Sequence, residues 1–320
     1  MSDVSTQLLD ATRTGINRAA EILRGGGLAA FPTETVYGLG ADACDGRAVA
    51  QIFDAKGRPA FNPLIVHVAS LDMAQDIAVF NDDALRLAAA FWPGPLTLVL
   101  PLRPKANLSP LVSAGLPTVG IRLPEHPVAQ QLLTAFDGPV AAPSANRSGK
   151  ISPTSAAHVA AGLSGRIDAI LDAGACPVGL ESTIIGFDPM STLLRSGGLP
   201  VEAIETCLGA HLASHSANAT PNAAPNAPGQ LTSHYAPTAA LRLNATTTRK
   251  GELKLGFGPD TQADLNLSPS GDLVEAAANL FQYLHRLDAQ NAPIAVAPIP
   301  AKGLGLAIND RLTRAAAPRP

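Results

Sequence analysis

Apolar residues recur along this chain with two distinct periods. Val4, Leu8 and Ala11 are spaced at three to four residues, and after one longer step Ile16, Ala19 and Leu23 resume that spacing. The pattern predicts an amphipathic helix, irregular near Gly15 and stopped by Gly25, Gly26 and Gly27. The following GLAAFPT reads as a short buried strand. Asp45 is placed to cap a helix that carries Val49, Ile52 and Phe53 inward. PLIVHV, LTLVLPL, TVGIRLP, PVAAPSAN, IDAILDAG and STIIGFDP have strand character, and helical stretches from Asp82 to Phe91 and from Pro127 to Phe136 separate some of them. Such alternation predicts an α/β or α+β domain built on a mixed sheet.

The character changes between about Leu208 and Pro237. HLASHSANATPNAAPNAPGQLTSHYAP is rich in Ala, Asn, Pro and Ser, has no periodicity, and reads as a linker. Beyond it ALRLNAT, ELKLGFG and PIAVAPIP have strand character. Leu273, Ala277, Leu280, Leu284 and Leu287 mark one face of a helix, and a last helix carries Leu306, Ile308 and Leu312. The expected division is a domain over residues 1–207, a linker and lid over 208–237, and a small α/β domain over 238–320.

Composition narrows the class. The chain has 320 residues, 46% hydrophobic and 15% charged, which suits a soluble, core-forming protein of one large or two ordinary domains. A net charge of -3 argues against a strongly basic nucleic-acid binder but leaves room for a local basic cleft. Cys44, Cys176 and Cys207 are far apart and lack metal-type spacing, as expected in a reducing compartment. The N-terminus shows no apolar signal region, and no run approaches the ~20 apolar residues that span a membrane. A cytoplasmic location is the expectation.

The candidate chemistry is concentrated in FPTETVYGLG (31–40), KGRPAFNPLIVHV (56–68), TVGIRLP (118–124) and APSANRSGKISPT (142–154). These segments gather Lys, Arg, Thr, Ser, Asn and one His with few carboxylates, a lining suited to an anionic ligand such as a nucleotide. Lys56 falls in a last helical turn, where the helix dipole explains it as well as a ligand contact does, whereas Arg58 lies outside the helix; the two together suit a polyphosphate, Arg58 by bidentate hydrogen bonds and Lys56 as a point charge. In TVGIRLP, Thr118, Gly120 and Arg122 share a face, with Thr118 and Arg122 roughly 13 Å apart and Gly120 leaving room for a ligand. A buried Arg122 requires either an internal carboxylate or the carboxylate or phosphate of a ligand. His67 shares a strand face with Ile65. Ser144 and Asn146 end a strand, Glu181 and Ser182 start one, and Arg195 precedes two glycines. Neither a GxxxxGK[ST] loop nor a GxGxxG turn after a strand is present, so any ATP site is built differently.

FPTETVYGLG, KGRPAFNPLIVHV and APSAN together resemble the KxR…SxN signature of the YrdC-like family, here Lys56, Arg58, Ser144 and Asn146. The match runs from about Ala19 to Pro200. The linker ending in SHYAP and the C-terminal GLGLAINDRLTRAA resemble the family's longer, two-domain form. The resemblance implies a twisted mixed α/β sheet with a concave basic surface, plus a small Rossmann-like C-terminal domain. It implies synthesis of threonylcarbamoyl-AMP from L-threonine, bicarbonate (or CO2) and ATP, with release of pyrophosphate. Downstream tRNA threonylcarbamoyl-transfer proteins then use the product on the adenosine next to the anticodon. By similarity, Lys56 and Arg58 are catalytic. Arg58, Asn62, Thr118, Ser144, Asn146, Ser152, Arg195 and Tyr235 meet ATP, and Thr35, His67, Arg122, Ala142 and Ser182 meet L-threonine. Mg2+ would travel on the ATP phosphates without protein ligands. One rival reading is a nonenzymatic RNA-binding module, against which the net negative charge and the low aromatic content of 4% weigh, and weak RNA binding stays open; a second is a related carbamoyl transferase of hydrogenase maturation, whose zinc-finger CxxC pairs do not occur here.

Overall fold

The computed structural model describes residues 4–214 and 233–318. In chain order the first elements are β1 (Gln7–Asp10), α1 (Arg13–Arg24), β2 (Ala29–Phe31), β3 (Gly38–Asp42), α2 (Gly46–Lys56), β4 (Ile65–His67), α3 (Leu71–Ile77), α4 (Asp82–Phe91) and β5 (Leu96–Pro101). Next come α5 (Pro110–Ser113), β6 (Thr118–Arg122), α6 (Pro127–Phe136), β7 (Val140–Ala141), α7 (Ala156–Leu163), β8 (Ala169–Asp172), β9 (Thr183–Gly186), β10 (Thr192–Arg195), α8 (Val201–Leu208) and β11 (Ala213–Ser214). The C-terminal part holds β12 (Leu241–Arg242), β13 (Leu253–Gly256), β14 (Leu265–Asn266), α9 (Leu273–Asp288), β15 (Ile294–Val296) and α10 (Leu304–Ala316). Among the described residues no helix is long and apolar enough to cross a membrane.

The strands form an 11-stranded mixed sheet in the order β1-β8-β2-β3-β7-β4-β6-β5-β9-β10-β11, and a 4-stranded sheet in the order β12-β15-β13-β14. The small sheet is parallel throughout. Alternation dictates the faces as expected. Leu64, Val66 and Val68, with Val119, Ile121 and Leu123, enter the largest core. Ile65 and His67 face the other way, and so do Gly120 and Arg122. Because β4 and β6 run parallel in register, His67 is the direct neighbour of Arg122. The Asp45 side chain accepts from the Arg47 N–H at 2.8 Å and caps α2, which ends at Gly57 in the left-handed region.

Four expectations need correction. The helix read from Val4 begins only at Arg13, because Gln7–Asp10 pairs with β8 as a parallel edge strand. Thr12 caps the helix, and Gly15 permits the tight strand-to-helix turn, since a Cβ there would lie 2.0 Å from the Asp10 carbonyl oxygen. Gly120 does not open space for a ligand: a Cβ there would meet Thr97 Cγ2 at 3.4 Å and Ile65 Cγ1 at 3.6 Å. Ala213–Ser214, read as linker, pairs with β10, and residues 215–232 of the expected linker lie outside the described residues. Leu306 is on the exposed side of α10, whose packing stripe is Leu304, Ala307, Ile308, Leu312 and Ala315.

The C-terminal core is not self-contained. Val36, Ile151, Leu180 and Tyr235 belong to the same apolar cluster as the buried faces of α9 and α10.

Candidate active site

Strand ends from the middle of the large sheet meet the 33–38 loop and the 234–235 segment around one cavity that opens to solvent. Of the residues expected to meet ligands, Thr35, Arg58, His67, Arg122, Ala142, Ser144, Ser182, Arg195 and Tyr235 line it. The lining also contains His234 and Glu181, neither of which was assigned to a ligand from the sequence. Arg58, Arg122 and Arg195 against the single lining carboxylate, Glu181, make this a cationic cavity among the described residues.

Arg122 is buried and firmly held. Its Nη2 donates to Glu34 Oε1 at 2.5 Å, Nη1 to Thr35 Oγ1 at 2.8 Å and Nε to the Gly94 carbonyl at 3.2 Å. Thr33 and Thr35 hydroxyls lie 2.7 Å apart, and the other Glu34 oxygen accepts from the Glu125 N–H at 3.1 Å. Thus the internal carboxylate exists, and the same arginine still faces the cavity. Burial, and then the Arg122 charge, pushes the His67 pKa down to about 3, and its Nδ1 has no partner. The Ser182 hydroxyl is 2.7 Å from that of Thr97 and accepts from Arg195 Nη2 at 3.1 Å. Arg195 also donates twice to the Ser182 carbonyl, at 2.9 and 3.1 Å. The glycine after Ser196 allows this close approach, because a Cβ at Gly197 would lie 2.3 Å from the Glu181 carbonyl oxygen.

The KxR…SxN signature divides: Arg58 and Ser144 line the cavity, and Lys56 and Asn146 do not. Lys56 is buried and donates from Nζ to the carbonyls of Ser144 and Asn146, at 2.6 and 2.5 Å. Burial, reinforced by Arg58, lowers its pKa. Arg58 donates to the carbonyls of Asn62 and Pro63, and burial pulls its pKa down to about 10. Asn146 accepts from the Ser144 hydroxyl at 2.5 Å and donates to the carbonyls of Arg147 and Lys150, closing the loop on itself. Ser152 donates to Glu181 at 2.5 Å. Lys56, Asn62, Asn146 and Ser152 therefore hold lining residues without lining the cavity themselves, and Thr118 is away from it, at the start of β6 opposite Pro101.

Tyr235 is fully buried with φ 61°, a left-handed conformation unusual for a residue with a side chain. Its ring stacks on Phe281 with centroids 5.7 Å apart, while the Ala236 N–H donates to the Gly149 carbonyl and the His234 N–H to that of Arg314. Burial drives the His234 pKa down to about 3. Among the described residues the buried side-chain polar atoms without a partner are Asn62 Oδ1, His67 Nδ1, His234 Nδ1 and Arg311 Nη2. Two of these belong to cavity-lining residues, which is where a ligand relieves the cost of an unpaired group. Periodicity does not reveal His234, whereas Arg311 has a legible signal: a charge at the 308, 311, 312, 315 spacing of a packing stripe.

A family model described as telomere recombination (Sua5, YciO, YrdC) matches residues 21–197, and one described as the threonylcarbamoyl-AMP synthase C-terminal domain matches residues 199–317. A threonylcarbamoyl-AMP synthase of Pyrococcus abyssi is 42% identical over 94% of this chain and 93% of its own length. The chain belongs to the threonylcarbamoyl-AMP synthase family. The Bacillus subtilis synthase is 41% identical over 98% of this chain and 96% of its own. A crystal structure of P. abyssi Sua5 complexed with L-threonine superposes with a TM-score of 0.89 at 39% identity, covering 97% of this chain and 98% of that one. The YrdC-like fold in its two-domain form and the nucleotidyltransferase class therefore hold over nearly the whole chain.

Proposed function

We propose that this member of the threonylcarbamoyl-AMP synthase family joins L-threonine, CO2 drawn from bicarbonate, and ATP in the cavity between the large sheet and the 234–235 segment. The observation that carries the reading is convergence: nine of the residues assigned by resemblance to threonine or ATP line this one cationic cavity. The threonine amine adds to CO2, giving a carbamate and a proton. A carbamate oxygen then attacks the α-phosphorus of ATP, the bond to the bridging oxygen breaks, and pyrophosphate leaves. Anion meets anion in that step, so fixed cations must face the developing charge. Arg58 and Arg195 fill this role, and Lys56 adds charge while fixing the backbone of Ser144 and Asn146. Arg122, preset by Glu34, takes the threonine carboxylate with its remaining N–H groups. His67 stays neutral and orients the amine or hydroxyl through hydrogen bonding; a pKa near 3 makes it a poor general base. Thr35 and Ser182 complete the threonine side, and Tyr235 covers the nucleotide, while Asn62, Asn146 and Ser152 act through the lining residues Arg58, Ser144 and Glu181.

Mg2+ would be carried on the ATP phosphates and would neutralise part of their charge. The one carboxylate among the described lining residues, Glu181, is engaged by Ser152 and Arg311. The product is labile, which fits a cytoplasmic enzyme with free Cys44, Cys176 and Cys207 that passes it to tRNA threonylcarbamoyl-transfer proteins. The division at residues 207 and 237 is part of this reading: the first unit carries the cations, and the segment ending at Pro237 carries the cover.

Pyrophosphate release by the purified protein decides the matter. Release from ATP should require both L-threonine and bicarbonate. A folded protein that releases none with both present would overturn the reading and favour an RNA-binding module.

A further inference from the structure

Arg311 sits where the packing stripe of α10 calls for an apolar side chain, and it is fully buried. Its guanidinium is divided among three environments. Nε donates to Glu181 Oε2 at 2.8 Å, Nη1 donates to Asp310 Oδ2 at 2.7 Å, and Nη2 has no partner. Its Cζ lies 5.1 Å from the centroid of the Tyr235 ring. Glu181 and Tyr235 both line the cavity, whereas Arg311 itself does not. The second Glu181 oxygen accepts from Ser152 at 2.5 Å. Asp310 in turn accepts from Arg314 Nε at 2.9 Å, and the Arg314 carbonyl accepts the N–H of His234. One turn of the C-terminal helix thus reaches the cavity wall at Glu181 and the cover at both His234 and Tyr235. A buried ion pair contributes little net stability compared with apolar packing, so stability alone does not explain a guanidinium on this stripe.

We propose that Arg311 is a positioning residue for the nucleotide. With its edge it fixes the Glu181 carboxylate, and with its face it supports the Tyr235 ring, so the ATP side of the cavity is complete only when α10 is docked. The inference rests on the reading that ATP occupies this cavity.

The test compares full-length wild type with Arg311→Lys, Arg311→Met and the double variant Arg311→Met/Glu181→Gln in steady-state pyrophosphate release. Arg311→Met should raise the KM for ATP about tenfold or more while the KM for threonine stays within about twofold. Arg311→Lys keeps the charge and should recover part of the loss. The double variant removes the stranded carboxylate, so its melting temperature should return toward wild type while its KM for ATP stays high. A role confined to stability predicts the opposite: in the folded double variant the KM for ATP returns to the wild-type value, or both KM values move together. Either outcome overturns the proposal. Calorimetric titration of ATP alone separates this failure from that of the parent reading. ATP binding by wild type that weakens in Arg311→Met supports the role of Arg311 even if wild type releases no pyrophosphate. A wild type that does not bind ATP removes both.

Discussion

Arg122 shows what one residue's place in the alternation conveys. The pattern Val119, Ile121, Leu123 against Thr118, Gly120, Arg122 puts the guanidinium on the face opposite the core, and a buried arginine there must have an anionic partner. The pattern leaves open whether that partner is internal. Glu34 lies 88 positions away in sequence, and only the fold brings it to 2.5 Å. Because Glu34, Thr35 and the Gly94 carbonyl lock the side chain, removing it should harm one substrate selectively. Arg122→Ala should raise the KM for threonine by about tenfold or more, with a smaller effect on ATP. An equal effect on both substrates would show that the residue shapes the cavity rather than binding the threonine carboxylate. Lys56 carries the converse lesson. Its place at the end of α2 suggests a dipole role or a phosphate contact, yet its ammonium holds two carbonyls of the Ser144–Asn146 loop.

At the scale of elements, periodicity succeeded where packing agreed with it. The helices at Asp82–Phe91 and Pro127–Phe136 have the limits expected from their apolar spacing. It failed at β1, whose four residues fit a helical stripe but gain more by pairing with β8 on the sheet edge. A pairing of helices also sets a pH dependence. His158 of α7 and His285 of α9 stack with ring centroids 4.0 Å apart, and His285 Nε2 lies 3.2 Å from the Ser152 carbonyl oxygen. Burial, and then the neighbouring His285, lowers the His158 pKa to about 4. His285 is lowered by burial against the opposing pull of the Ser152 carbonyl and Asp288. Between pH 6.5, the ordinary histidine value, and about 4, the unfolded chain takes up protons that the folded chain refuses. Stability is therefore full above that window and falls as the pH is lowered through it; His67 and His234 act in the same direction. Melting temperatures should drop steadily from pH 7 to pH 5, and His158→Gln should make the slope shallower. A flat profile in wild type would refute the assignment.

Across the whole molecule, the two sheets share one boundary that is both core and site wall. Val36, Ile151 and Leu180 pack into the C-terminal apolar cluster, Arg311 meets Glu181, and the Gly303 N–H at the start of α10 donates to Glu202 of α8 at 3.0 Å. A chain ending at Ser233 loses the Tyr235 cover and the support of α10 together. Its pyrophosphate release should fall by about tenfold or more, measured on truncated protein whose circular dichroism shows an intact first domain. Full activity in that protein would mean that neither the cover nor the C-terminal domain contributes to turnover.

The sequence by itself determined the fold class, the strands whose ends line the cavity, the cationic character of that lining and the family signature. Each of these depends on residue type and short-range spacing, which a linear pattern preserves. The tertiary structure alone decided which polar groups share a cavity and which stand behind it. It paired Arg122 with Glu34 and Lys56 with the Ser144–Asn146 carbonyls, and it brought Arg311 of α10 against the cavity wall. Those contacts join residues 88 to 130 positions apart, and no local preference specifies them. They follow from the register of the large sheet and the docking of the C-terminal core, where burying each charge requires that a partner of opposite charge or a carbonyl arrive with it.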